Sequence, residues 1–151
     1  MKHLLPLLIA CTILLFGCNE NSSRKYIGKY DFNIHHSYPV VEWNEELQHE
    51  IITWLDSTYS FDGSIKKSGT SNKIIVHWGE DTLTIYNNTV FTQTSEFTVD
   101  IDGTLTYPEY GGSGHTNLYP PAYISNDTIV FTICAGGLGM YSCWSVLGVK
   151  Q

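Results

Sequence analysis

From residue 59 onward the chain repeats one unit: a short run rich in Val, Ile, Thr, Tyr, Phe and Trp, then a brief polar or glycine-bearing break. The runs fall at 59–67, 73–78, 82–86, 89–93, 97–100, 104–107, 122–125, 128–134 and 141–149. Many are separated by turn chemistry: Ser68-Gly69, Gly79-Glu80-Asp81, Asn87-Asn88, Asp102-Gly103 and Asn126-Asp127. β-Branched and aromatic residues suit a pleated surface. Breaks this short join antiparallel neighbours, because a parallel crossover needs about a dozen residues or more. The pattern predicts an all-β antiparallel meander, closed as a barrel or folded as a sandwich. Asp102-Gly103 is expected to form a type I′ turn, with positive φ at both central residues.

Upstream, 26–34 alternates Tyr30, Phe32 and Ile34 against Lys29, Asp31 and Asn33, the pattern of a half-buried strand. Residues 44–55 read differently. Asn44 is a good N-cap, Glu45 and Glu46 suit a helix start, and Leu47, Ile51, Trp54 and Leu55 recur at helical spacing, which predicts one short helix. Residues 108–121 break the β rhythm with prolines and glycines, and Tyr107, Tyr110 and Tyr119 stand in or beside them. That segment is expected to be a long surface loop and the place for a functional surface. Aromatics are 13% of the chain and charged residues 15%, which excludes a disordered chain or a coiled coil. Eight Lys and Arg stand against 15 Asp and Glu, a formal charge of −7, which argues against nucleic acid and anionic membrane surfaces as partners.

The chain opens Met1-Lys2-His3 and runs apolar from Leu4 to Phe16, broken by Pro6 and Thr12. A basic start and a short apolar run have the layout of an export signal, and fall short of the roughly 20 residues that span a membrane. Leu15-Phe16-Gly17-Cys18 follows and resembles the lipobox of bacterial lipoproteins. The resemblance implies cleavage after Gly17 and a diacylglyceryl group on the Cys18 thiol, a durable membrane anchor. The chain then divides into a signal peptide at 1–17, a lipidated polar tether at 18–25, and one domain at 26–151. Of the four cysteines, Cys11 lies in the signal and Cys18 carries lipid, which leaves Cys134 and Cys143 for an oxidising compartment. If their flanking runs pair as a hairpin, the two face each other and form a disulfide. The alternative is a pair of reduced, buried thiols.

Further motifs are Tyr26-Ile27-Gly28-Lys29-Tyr30, Gly63-Ser64-Ile65-Lys66-Lys67, Ile74-Ile75-Val76-His77-Trp78-Gly79, Asp102-Gly103-Thr104-Leu105, Gly136-Gly137-Leu138-Gly139 and Val146-Leu147-Gly148-Val149-Lys150. Together they resemble a class of small, uncharacterised β-rich lipoproteins of Gram-negative bacteria that are compared with lipocalin-like (calycin-like) barrels. Tyr30 stands where a lipocalin has the Trp of Gly-x-Trp. The resemblance implies a barrel, and no activity.

Catalytic and metal motifs fail on spacing. His35, His36, His49 and Glu50 show no ligand pattern and read as exposed polar residues. Gly111-Gly112-Ser113-Gly114-His115 puts His where the nucleophile elbow needs Gly. Asp100-Ile101-Asp102-Gly103 places its Gly too early for an EF-hand and reads as a hairpin turn. No enzyme, metal or cofactor is expected. The aromatic supply, with Trp43, Trp54, Trp78 and Trp144, points to a core and, beyond that, to binding. The expected function is a lipid-anchored protein of the bacterial cell envelope, in the outer membrane, holding a small apolar ligand or lipid in a barrel cavity. The alternative is a surface module that binds protein or glycan through 108–121. Tyr107, Tyr110, Tyr119, Trp78 and Trp144 are the candidate contact residues.

Overall fold

The computed structural model describes residues 23–69, 72–80, 84–86, 89–91, 93–107, 115–137 and 140–151. After a single 3₁₀ turn, Arg24–Tyr26, the described chain is all β. Its strands are β1 (Gly28–Asn44), β2 (His49–Ser68), β3 (Lys73–His77), β4 (Thr84–Tyr86), β5 (Thr89–Phe91), β6 (Thr94–Val99), β7 (Leu105–Thr106), β8 (His115–Ser125), β9 (Thr128–Gly137) and β10 (Met140–Lys150). Eight of them form one antiparallel sheet in the order β7-β6-β3-β2-β1-β10-β9-β8, and β4 and β5 pair separately. The sheet curls into a nearly closed barrel. The first and last strands of the chain lie side by side, Tyr30 opposite Lys150 and Ser37 opposite Cys143, so the sheet's free edges are β7 and β8. Among the described residues they touch through one bridge, Thr104 to Tyr123, and through Ile124 N–H donating to Gly103 O at 2.8 Å.

Alternation sets the inside. Tyr30, Phe32 and Ile34 are buried while Asp31, Asn33 and His35 face water, and β6 and β10 repeat the pattern. The interior is filled by large rings: Phe131 packs edge-on to Trp78 at 5.7 Å and tilts against Phe97 at 5.0 Å, and Trp78 lies 6.5 Å from Trp144. Phe32 fits because Gly148 stands directly opposite it on β10 and Gly63 lies diagonally from it on β2, beside its direct partner Phe61. A Cβ at Gly148 would lie 2.4 Å from its ring, and one at Gly63 2.7 Å. Polar groups in this core are satisfied: Trp78 Nε1 donates to Ser95 Oγ at 3.2 Å, and Tyr30 Oη to Tyr26 O at 2.9 Å. Burial, with the nearby Asp127 and Tyr26 charges, pushes the Tyr30 phenol up to about 12. Tyr26, on the 3₁₀ turn, is buried as part of the core. Cys134 and Cys143 are direct cross-strand partners and form a disulfide.

Three expectations are corrected. Residues 44–55 are not a helix. Asn44 does cap, its Oδ1 accepting the Leu47 N–H at 2.8 Å, but Gln48 takes a left-handed φ of 52° after one turn and the chain returns as β2. Leu47 is left in the turn, Ile51 and Leu55 fall on one face of the strand, and Trp54 falls on the other. The expectation of a loop at 108–121 fails for 115–121, while 108–114 lie outside the described residues. Residues 115–121 belong to β8, whose place at the sheet edge lets Pro120 and Pro121 lack an N–H without breaking a ladder. Finally, Asp102-Gly103 is not a type I′ turn. Gly103 alone has positive φ, 91°, and donates its N–H to Asp100 O at 3.0 Å, while Asp102 Oδ1 accepts the Thr104 N–H. This is a three-residue connection ending in a left-handed glycine. The signal at 1–17, Cys18 and Tyr110 lie outside the described residues.

Candidate binding site at the barrel seam

Above the Thr104–Tyr123 bridge the two free edges diverge and leave a groove of about 350 Å³. Its lining is Thr104, Leu105, Thr106 and Tyr107 from the β7 side and Asn117, Leu118, Pro120 and Ala122 from β8. The two strands make this wall for a simple reason. Leu105 is buried while Thr104 and Thr106 face out, and Leu118 and Ala122 pack onto the core from the opposite edge. Tyr107 leans on Phe97 with ring centres 5.6 Å apart, so its apolar face belongs to the core and the groove together. The β8–β9 register shifts between Tyr119 and Tyr123, around a cis Pro120–Pro121 bond. The floor is apolar and the rim carries two hydroxyls and an amide, a surface for an amphipathic guest.

A second polar group sits at the barrel mouth. His36 stacks between Tyr38 (4.7 Å) and Trp144 (4.4 Å, nearly parallel), and its Nε2 pairs with Ser142 Oγ at 2.6 Å. Burial, then the neighbouring His35 charge, holds the His36 pKa below its ordinary value. Beside it, Gln93 Nε2 donates to Tyr59 Oη at 2.8 Å. Burial raises the Tyr59 phenol although hydrogen bonds with Gln93 and Trp144 pull the other way. His36 was expected as an exposed polar residue; stacking between two rings half-buries it instead. Ser142 is fully enclosed, so this His–Ser contact forms part of the plug of the mouth.

The sequence-predicted contact residues therefore separate. Tyr107 lines the groove, and Tyr119 stands beside it on β8, 43% exposed. Trp78 and Trp144 are core residues. Leu118, Ala122 and Asn117 escaped the sequence reading because prolines made their segment look like a loop; the alternation of Leu118, Pro120 and Ala122 on one face was the available signal. Trp43 and Trp54, counted with the core aromatics, are 59% and 51% exposed. Among the described residues no cluster of His, Cys, Asp or Glu could hold a metal ion, and no helix is long and apolar enough to cross a membrane. The fold and site define an all-β, nearly closed antiparallel barrel whose two edge strands, among the described residues, are joined by one bridge. No protein-family model, curated protein or solved structure matches the chain.

Proposed function

We propose that the chain is a lipid-anchored, non-catalytic binding protein of the bacterial cell envelope that takes a small, largely apolar ligand into the seam groove. One observation carries this reading. The barrel axis, the usual ligand site of such a fold, is filled by Trp78, Phe97, Phe131 and Trp144, while a groove of about 350 Å³ lies over the core between two unpaired strand edges. That volume is at the small end of the range for ligand sites. Leu105, Leu118 and Ala122 would cover the apolar part of the guest; Thr104, Thr106 and Asn117 would meet its polar end. The anchor rests on Leu15-Phe16-Gly17-Cys18.

Native mass spectrometry of the full chain, purified from the membranes of a bacterium that makes it, tests both parts. The expected spectrum shows loss of residues 1–17, acyl mass on Cys18, and a retained non-covalent small molecule. Ala122→Trp fills the groove from its floor, at some cost in stability because Ala122 packs on the core, and Thr106→Trp fills it from its exposed rim at unchanged thermal stability; each is expected to give the bare protein. A bare wild type, or retention by both variants, rejects the groove. An intact leader rejects the anchor and leaves the groove result standing.

A further inference from the structure

β1 and β2 outrun the barrel. β1 pairs with β10 only as far as Ser37, and β2 meets β3 only from Ser64 onward. Beyond those points 38–44 and 49–55 pair with each other and, among the described residues, with no other strand, while 56–63 lies against the barrel part of β1 on one side only. The register sorts this ribbon into two faces, since directly opposed residues point the same way. One carries Pro39 against Trp54, Val41 against Ile52 and Trp43 against Glu50; the other carries Tyr38 against Leu55, Val40 against Thr53 and Glu42 against Ile51. Val41, Trp43, Ile52 and Trp54 are all exposed and contiguous, and Leu47 is exposed at the turn. A two-stranded hairpin is marginal in water by itself, and contiguous exposed apolar surface of this kind marks an interaction site. Tryptophan is the residue type most enriched where such contacts carry binding energy.

Charge decides the partner. Glu50 and Asp56 lie on the face of the apolar strip, Glu45 and Glu46 in the turn at its end and Glu42 on the reverse face, and no Lys or Arg occurs between Lys29 and Lys66. A bilayer would take the tryptophans but would have to bury or displace the carboxylates, at a few kcal/mol for each one carried to its centre. A second copy docked tip to tip would set two such acidic rims against each other, and like charges in contact are disfavoured by several kcal/mol. We propose that the distal half of the β1–β2 hairpin docks a different protein, one that presents an apolar strip bordered by Lys and Arg. Its cations would neutralise the rim, and guanidinium groups would stack on Trp43 and Trp54. This inference stands independently of the seam groove.

Site-specific photo-crosslinking in a bacterium making the full chain tests it, with Trp54→benzoylphenylalanine as the probe and Leu147→benzoylphenylalanine, exposed on the barrel wall, as the control. The expected result is an adduct with another protein from position 54 and none from 147, the crosslinked peptide carrying Lys or Arg beside apolar residues. Charge reversal by Glu50→Lys with Asp56→Lys is expected to abolish the adduct, as is Trp43→Ser, at unchanged thermal stability, since these side chains are exposed. An adduct of the chain with itself, an adduct with lipid, an adduct indifferent to charge reversal, or no adduct at position 54 overturns the proposal.

Discussion

His36 shows how a single side chain records its surroundings. Stacked between Tyr38 and Trp144 and paired with Ser142, it is held below its ordinary pKa of 6.5 by burial first and by His35 second. The unfolded chain then binds the proton more readily than the folded one. Stability from this residue is full above pH 6.5 and is lost as pH falls through the lowered folded value. His36→Gln is expected to flatten the fall in urea midpoint between a pH well above 6.5 and one well below it, even if the variant starts lower. An unchanged pH slope would remove the linkage. Gly103 records a different constraint. Its φ is 91°, and a Cβ there would lie 2.1 Å from Ile124 O, at the point where the two sheet edges meet. Gly103→Ala is expected to cost roughly 2 kcal/mol or more, through left-handed strain and the forced separation of the edges. Denaturant titration checks this; a loss within a few tenths of a kcal/mol would mean that the closure tolerates displacement.

Elements were legible where local chemistry and tertiary placement agree. The β9–β10 pairing, the Cys134–Cys143 bond and the inward set Tyr30, Phe32 and Ile34 follow from alternation and cysteine count. The β1–β2 hairpin was not legible, for a specific reason: Asn44 caps a turn identically whether a helix or one α-like turn follows, and Gln48, a residue with no special left-handed preference, ends it. The apolar residues that follow misled further, because a ribbon exposed on both faces has no single buried side to impose period two. The seam was hidden similarly. Prolines argue for a loop unless the strand is known to be an edge, and edge status is a property of the whole sheet. For the disulfide, Cys134→Ala with Cys143→Ala is expected to lose about 2.5 kcal/mol by the chain-entropy relation for so short a loop. Chemical denaturation with and without reductant measures it. Equal midpoints would show that the ladder around these residues holds the hairpin unaided.

At the scale of the whole molecule, the strand order places the chain's ends in the interior of the sheet and its middle at the edges. β1 and β10, first and last in sequence, pair side by side, while β7 and β8, from the middle of the chain, are the two edges. Cooperative strength should follow the ring stack from Trp78 through Phe131 to Phe97 and should weaken toward that seam. Phe131→Ala is therefore expected to cost about 3–5 kcal/mol, the range for emptying a packed aromatic site, whereas Tyr107→Ala at the groove wall should cost less, since its site already opens to water. Native-state hydrogen exchange gives the matching map. Amides of β1 near Phe32, of β9 and of β10 should exchange only through global unfolding. Those at Leu105, Leu118 and 49–58 should exchange through local opening. A guest in the seam groove would slow Leu105 and Leu118 and leave 49–58 unchanged, while a partner on the hairpin would do the reverse. Uniform protection across all of these positions in the free protein would mean that the two edges are joined in solution, and the groove with its proposed ligand would have to be given up.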